Sequence, residues 1–153
     1  MKIGGQVNLE KEPLFEIKYN TTSVEEFGTS LAALRQGKLE VPKEGFRVNV
    51  HVEGVVSGPA IKGTAKGVDY VYGRADGRRQ LDVKVTITTE DGKNISFTAD
   101  GVAIPQKDGP TRIAENVTLF SSHPEYKHLN TLQIWGLGTG AKGKIELKFY
   151  SAT

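Results

Sequence analysis

The chain has no cysteine, and this absence removes several kinds of chemistry at once. No disulfide can brace the fold, no thiolate can act as a nucleophile, and no zinc site built on sulfur can form. Long apolar runs are also missing, since no window approaches the roughly eighteen residues that a transmembrane helix needs. The 153 residues must therefore rely on a hydrophobic core, and we expect a single domain spanning residues 1–153.

An excess of charge of one sign is missing as well. The 20 lysines and arginines are interleaved with 18 acidic residues, which leaves a formal net charge of +2. Because no basic stripe is present, we expect no binding to nucleic acid. The opening residues, MKIGGQVNLE, lack the apolar core of a signal peptide, so we expect a soluble, cytoplasmic protein without a membrane partner. The sequence is compatible with a homo-oligomer.

Helical patterns are scarce, whereas alternation of apolar and polar residues is frequent. Val48, Val50 and Val52 alternate with polar residues, and residues 81–88 and 145–150 repeat this period of two, which indicates strands with one buried face. Without long helices to cover a parallel sheet, an antiparallel sheet closed on itself best protects its edges. The sequence therefore predicts an all-β fold, a single antiparallel β-barrel of roughly eight to ten strands, large enough for one small ligand.

Two segments depart from this alternation. Residues 20–37 contain Leu31, Ala32 and Leu34 before Gly37, which predicts one or two helical turns in the N-terminal third of the chain. Residues 102–116 contain two prolines and a Lys-Asp-Gly turn, and we expect them to form a long loop.

The motifs for cofactors and metals are incomplete. Residues 138–144, GTGAKGK, begin like a phosphate-binding loop, but Ile145 follows where Ser or Thr is required, and a strand pattern follows where a helix is needed. His51, His123 and His128 lack the spacing of a metal-ligand set, and no Gly-x-Ser-x-Gly nucleophile elbow occurs. We expect neither a metal nor a cofactor.

Asp69 shares a predicted strand face with Val71 and Gly73. A carboxylate on an apolar interior face loses solvation, which raises its pKa toward the range of a useful general acid or base. The alternative is an aspartate that bonds to backbone amides or to an arginine. A neighbouring row that contains Arg47 and His51 also has two interpretations. Either the valines face the core and this row is solvated, or the row lines a polar lumen and Arg47 partners an anion or Asp69.

A second candidate region lies in residues 119–138, LFSSHPEYKHLNTLQIWGLG. Tyr126 and Asn130 are four residues apart, so on a helical turn they would share a face and could hold a developing oxyanion. Alternatively, Tyr126 and Leu129 plug the barrel end while Asn130 caps backbone groups. The candidate catalytic residues are Asp69, Tyr126 and Asn130. The candidate ligand-binding residues are Arg47, His51, Tyr72, His123 and Trp135.

Three segments resemble a known family. They are residues 45–63 (GFRVNVHVEGVVSGPAIKG), residues 67–92 (GVDYVYGRADGRRQLDVKVTITTEDG) and residues 119–130 (LFSSHPEYKHLN), followed by a glycine-rich hairpin. Together they are similar to the mostly bacterial family called domain of unknown function 3237, also known as UPF0311. The resemblance implies a calycin-like antiparallel β-barrel with a central cavity, and it implies no established reaction.

The leading functional hypothesis is an enzyme that binds a small apolar or aromatic carbonyl compound and acts as an isomerase, cyclase or lyase. Asp69 would be the acid or base, Tyr126 and Asn130 would hold the oxyanion, and Arg47 would orient an anionic group. The alternative is a lipocalin-like barrel that binds a small hydrophobic ligand without chemistry. A structural subunit is a third hypothesis. The enzyme hypothesis requires these four side chains to meet in one pocket.

Overall fold

A computed structural model describes residues 8–152, which form a closed barrel of eight antiparallel strands. Each strand pairs with the next one along the chain, and the last pairs with the first. The strands are β1 (Phe15–Glu26), β2 (Phe46–Ser57), β3 (Gly63–Gly73), β4 (Arg79–Thr89), β5 (Asn94–Ile104), β6 (Thr111–Phe120), β7 (Ile134–Ala141) and β8 (Lys144–Ser151). The predicted all-β, calycin-like barrel is confirmed.

The alternation in the sequence decides which side chains fill the barrel. On β4, Leu81, Val83 and Val85 are buried inside, whereas the intervening Asp82 and Lys84 are exposed outside. The same period of two runs along the other strands, so that each contributes one apolar face to a shared interior. Closure satisfies the backbone groups that an open sheet would leave unpaired at its edges.

One end of the barrel, here called the closed end, is packed with aromatic and aliphatic side chains. Phe15 stacks on Phe149 with 4.6 Å between ring centroids, and Phe97 meets Phe149 edge to face at 5.4 Å. Ile61, from the loop after β2, and Leu129, from a 3-10 turn at Lys127–Thr131, are almost fully buried in the same core. These residues therefore fill the interior of the barrel at the closed end.

The other end, here called the mouth, carries the α-helix α1 (Leu31–Arg35). The helix begins at Ser30, whose hydroxyl oxygen accepts a hydrogen bond from the backbone N–H of Ala33 at 3.1 Å. Gly37 follows with a φ of 71°, the left-handed conformation that ends many helices. The predicted short helix is therefore present. No helix in the described part of the chain is long and apolar enough to cross a membrane.

Two predicted boundaries are wrong. β1 does not stop at Asn20, because the residues up to Glu26 continue to pair with β2 around a bulge between Thr21 and Ser23. The predicted loop at 102–116 is mostly strand, because residues 102–104 of β5 pair with residues 112–114 of β6. Only residues 105–110 lie outside these two strands, and the two prolines stand at the ends of this short connection.

Glycines on β7 provide a matched test of how tightly the wall is packed. A Cβ on Gly138 would overlap the carbonyl oxygen of Glu146 on β8, whereas a Cβ on Gly140 would have its nearest heavy atoms at 3.4 Å. We expect Gly138→Ala to lower the free energy of unfolding by about 1–3 kcal/mol, as for other overpacked sites. Gly140→Ala should change it much less. Urea denaturation of both variants measures the difference, and equal effects would contradict this account.

Candidate active site

The half of the barrel toward the mouth encloses a cavity of about 430 Å³. This volume is typical of sites that bind small molecules. The apolar part of its wall consists of Leu34, Val50, Val52, Leu81, Val83, Ala103, Ile113, Ile145 and Leu147. The acidic and phenolic side chains that line the cavity are Tyr19, Asp69 and Glu115. The cavity therefore combines an apolar wall with a small polar group, which is the usual composition of a ligand site.

Asp69 points into the cavity from β3, at a place where the pairing of β3 with β4 is interrupted. The ladder runs to the pair Asp69–Val83 and resumes at the pair Tyr72–Gln80. Between them, the backbone N–H of Asp82 donates a hydrogen bond to Oδ1 of Asp69 at 3.2 Å. The carboxylate thus accepts from a strand amide at a break in the ladder, which fixes its position.

The environment of Asp69 suits proton transfer near neutral pH. Burial raises the pKa of its carboxyl group to about 7, with a smaller contribution from the negative charge of Asp82, and the backbone hydrogen bond only partly opposes this. At neutral pH the protonated and ionised forms are therefore both well populated. A group in this state can either accept or donate a proton.

Glu115 is a second buried carboxyl group in the same cavity. It points inward from β6 with only 5% of its surface exposed, and its Oε1 has no hydrogen-bond partner among residues 8–152. Burial, and then the negative charge of Asp69, raise its pKa to about 8. On the neighbouring strand it faces Gly136, where a Cβ would lie 3.5 Å from the Cβ of Glu115 and much closer to the ring of Phe149. The missing side chain at Gly136 leaves room for the Phe149 ring.

Tyr19 completes this group of polar side chains. Its hydroxyl oxygen is buried and has no hydrogen-bond partner in the described part of the chain. Burial raises the pKa of the phenol well above its usual value, and the charges of Glu115 and Asp69 add to the effect. Tyr19 therefore stays protonated at neutral pH and can donate a hydrogen bond to a bound molecule.

Cationic side chains occupy the mouth end of the cavity. Arg35 comes from α1, Arg79 from the start of β4, and Lys142 from the turn between β7 and β8. Arg79 is half-buried, and its guanidinium carbon lies 5.8 Å from the centroid of the Phe46 ring. Burial and the positive charge of Arg35 lower the pKa of Arg79. The site thus has acids inside the barrel and cations at its entrance.

Three predicted ligand-binding residues lie outside the barrel. Arg47 sits over the ring of Tyr72, 5.0 Å from its centroid, and the Tyr72 hydroxyl donates to the carbonyl oxygen of Glu44 at 2.9 Å. His51 Nε2 lies 2.7 Å from a carboxylate oxygen of Glu25, and this hydrogen bond lowers the pKa of Glu25. The valines of β2 occupy the inward positions, so this row faces outward and cannot contact a ligand in the cavity.

The other predicted residues lie at the closed end or on the outer wall. The Tyr126 hydroxyl donates to Oδ1 of Asp91 at 3.2 Å, outside the cavity. Asn130 Oδ1 accepts from the N–H of Ser121 at 2.8 Å, and its Nδ2 donates to the carbonyl oxygen of Ser121 at 2.9 Å. His123 is exposed, and Trp135 is 41% exposed on the outer wall. These contacts agree with the alternative interpretation, in which residues 126–130 close the barrel end and Asn130 caps backbone groups.

The expected meeting of four side chains in one pocket is therefore wrong. Of Asp69, Arg47, Tyr126 and Asn130, only Asp69 lines the cavity. Tyr126 and Asn130 belong to the connection between β6 and β7 at the closed end, whereas the cavity opens at the mouth. Among residues 8–152, no cluster of three acidic or histidine side chains is arranged to hold a metal ion.

Sequence reasoning missed Glu115 although a usable pattern was present. In β6, Glu115 alternates in phase with Val117 and Leu119, which is the same pattern of an acid on an apolar face that identified Asp69. The pattern was hidden because residues 102–116 were interpreted as a loop. Tyr19 follows Phe15 and Ile17 in phase, so the same alternation places it inside the barrel.

The fold and the cavity define a calycin-like barrel with a polar interior site. The chain belongs to the family described as "Protein of unknown function (DUF3237)", whose model matches residues 12–152. A comparison with curated proteins finds no match.

Solved structures with similar folds come from several organisms. A β-barrel-like protein from Acinetobacter baumannii AYE is 18% identical with a TM-score of 0.80, and the alignment covers 100% of both chains. A protein of unknown function from Clostridium acetobutylicum is 20% identical, with a TM-score of 0.80 and coverage of 97% of this chain and 100% of the other. An enzyme from Penicillium herquei is 21% identical, with a TM-score of 0.72 and coverage of 100% and 99%. At these identities the likeness establishes the fold.

The two buried carboxyl groups should make stability depend on pH. Because their pKa values are raised on folding, to about 7 and about 8, the folded state holds these protons more tightly than the unfolded state. Their contribution is fully present at low pH and is lost as the pH rises through these values. In Glu115→Gln, we expect the fall in the free energy of unfolding from about pH 5 to about pH 9 to shrink by at least about 1 kcal/mol.

Urea denaturation at the two pH values measures this change. Glu146→Gln is the matched control, because Glu146 is exposed on the outer face of β8. Its fall in stability should equal that of the wild type. An unchanged fall in Glu115→Gln would contradict the buried environment described for Glu115.

Asn130 should act on stability rather than on the cavity. Asn130→Ala leaves the N–H and carbonyl oxygen of Ser121 without their side-chain partner, which we expect to lower the free energy of unfolding by about 1–3 kcal/mol. His128→Ala, an exposed position in the same turn, serves as the control and should have little effect. Thermal or urea denaturation tests this, and a stable Asn130→Ala protein with altered ligand binding would argue for the original functional assignment.

Proposed function

We propose that the protein is an enzyme that performs acid/base chemistry on a small apolar or aromatic carbonyl compound, in the manner of an isomerase, cyclase or lyase. One observation carries the proposal: two carboxyl groups, Asp69 and Glu115, line one apolar-walled cavity and have pKa values of about 7 and about 8. Burying such groups works against folding, and acids in such environments cluster at functional sites.

The pair supports a division of roles. Because the charge of Asp69 raises the pKa of Glu115, the pair favours a state with one proton near neutral pH, held mainly by Glu115. Ionised Asp69 would remove a proton from the carbon next to the substrate carbonyl. Glu115 would donate its proton to the carbonyl oxygen, forming a neutral enol, and Tyr19 would supply a further hydrogen bond to that oxygen.

The enol then has two outcomes that balance in atoms and charge. In a substrate whose enol is conjugated with a C=C bond, Asp69 returns the proton to the γ carbon, the double bond shifts, and Glu115 recovers its proton from the enol oxygen, which gives an isomer. If the β carbon carries a leaving group, that group departs with the proton from Asp69, and the enol proton returns to Glu115. The result is elimination. In this scheme Tyr19 and Glu115 take the role that the sequence alone suggested for Tyr126 and Asn130.

A comparison supports an enzyme in general terms. The structure from Penicillium herquei with the same barrel is described as an enzyme, and its alignment covers nearly all of both chains. With 21% identity it lends weight to catalysis in this fold and says nothing about the reaction of this chain.

A second candidate function is a barrel that binds a hydrophobic ligand without chemistry. The hydrogen bond from the Asp82 N–H to Asp69 favours it, because a carboxylate tied to the backbone can be a structural replacement for a strand acceptor. In that case, the carboxyl groups would only hydrogen-bond the ligand, and a bound carbonyl compound would be recovered unchanged.

Deuterium exchange separates these two functions. Aryl ketones that raise the melting temperature are incubated with the protein in D2O, and incorporation next to the carbonyl is followed by NMR. We expect exchange above the buffer rate, and we expect Asp69→Asn to reduce it by about 100-fold or more while retaining ketone binding.

Asp100→Asn is the control, since Asp100 is exposed on the outer face of β5. It should exchange at the wild-type rate. Ketones that bind to the wild type and are recovered without deuterium would favour the non-catalytic function. Exchange that is equally fast in Asp69→Asn would remove Asp69 from the mechanism.

A further inference from the structure

Within residues 8–152, no carboxylate forms an ion pair with Arg35 or Arg79 at the mouth of the cavity. The ion pairs found among residues 8–152 involve His51, Lys66, Arg74 and Lys93, and none involves these two arginines. Both arginines nevertheless line the cavity. They are therefore available to a molecule that enters it.

The two arginines are also close enough to disfavour each other's charge. Arg79 is half-buried, and both its burial and the charge of Arg35 lower its pKa. Like charges at a site that is partly shielded from water repel one another. The Phe46 ring, 5.8 Å from the guanidinium carbon of Arg79, offsets part of this through a cation–π contact. An anion bound between the guanidinium groups would remove the repulsion and satisfy their N–H donors.

The positions along β4 define the spacing between this cationic pair and the carboxyl groups. Arg79 faces inward four residues before Val83, and Val83 pairs with Asp69. At a rise of about 3.3 Å per residue, Arg79 lies about 13 Å from the level of Asp69 along the strand. The inward side chain between them is Leu81. A ligand that spans this distance would have an anionic end, an apolar middle and a reacting end.

We propose that Arg79 and Arg35 bind an anionic group, a carboxylate or its equivalent, on a ligand whose apolar body extends down the cavity toward Asp69 and Glu115. Lys142 on the neighbouring hairpin adds positive potential at the same entrance. This names the ligand class, an amphiphilic anion, for the same cavity that the proposed function uses. The recognition of the anion can be tested without any turnover.

Two fluorescent probes differ in the relevant group. 8-Anilinonaphthalene-1-sulfonate and N-phenyl-1-naphthylamine share an aromatic skeleton, and only the first carries a negative charge. We expect Arg79→Gln to weaken binding of the sulfonate by at least about tenfold, because a charge-assisted hydrogen bond to a half-buried guanidinium is lost. Arg35→Gln, at an exposed position, should weaken it by about threefold. Binding of the neutral probe should stay within about twofold of the wild type in both variants.

Arg112→Gln is the matched control, because Arg112 is exposed on the outer face of β6 and does not line the cavity. It makes the same change of net charge and should leave both probes unaffected. Equal weakening of both probes in Arg79→Gln would mean that Arg79 only shapes the cavity, and unchanged sulfonate binding would mean that it does not bind the anion. Either result overturns the proposal.

A second measurement does not depend on dye fluorescence. The Nε–H resonance of Arg79, identified by its loss in Arg79→Gln, is followed by NMR during titration with sodium benzoate and, separately, with neutral benzamide. We expect a saturable shift with benzoate and none with benzamide, and no benzoate-specific shift would overturn the proposal.

The Asp69→Asn variant distinguishes failure of this inference from failure of the proposed function. It should bind the sulfonate probe like the wild type even though exchange is lost. If the wild type binds the sulfonate probe through Arg79 but catalyses no exchange, the anion site stands and the proposed enzymatic function is wrong.

Discussion

The pairing of β8 with β1 is the contact on which the rest of the structure depends. It joins the last strand to the first and places Phe15 opposite Phe149, whose rings then stack. These rings, with Phe97, fill one end of the barrel. The cavity lies beyond these rings, toward the mouth, and side chains such as Val50, Val83 and Ala103 line it. An open sheet with the same sequence pattern would have no enclosed interior.

The cavity makes the buried acids chemically useful. Asp69 and Glu115 are held by strands on which most inward neighbours are apolar, so desolvation dominates their pKa values. Other negative charge adds to this effect, from the outward-facing Asp82 on Asp69 and from Asp69 on Glu115. A protein selected for stability alone gains nothing from two such groups, since their ionisation opposes folding above neutral pH. The proposed acid/base function accounts for their presence in an otherwise apolar interior.

Charge is arranged along the barrel axis. Cations stand at the mouth and acids stand farther inside, and no ion pair joins the two sets within residues 8–152. The inward Leu81 separates Arg79 from the level of Asp69, which keeps the guanidinium from neutralising the carboxylate. The role predicted for Arg47 is the one we propose for Arg35 and Arg79, which line the mouth of the cavity. Arg47 instead packs on Tyr72 outside the wall.

Local periodicity was sufficient to predict the barrel, the short helix and the inward direction of Asp69. In a strand with a period of two, the apolar residues determine which side chains face the interior. Because Val48, Val50 and Val52 face the interior of the barrel, Arg47 and His51 face outward. Which distant residues share the cavity was decided by strand order and by which end is packed. That is why Tyr126 and Asn130, whose chemistry suits an oxyanion, lie at the closed end, whereas Glu115, Tyr19 and Arg79 line the cavity. Burial, the source of the raised pKa values of Asp69 and Glu115, arises only when eight strands close around a common interior.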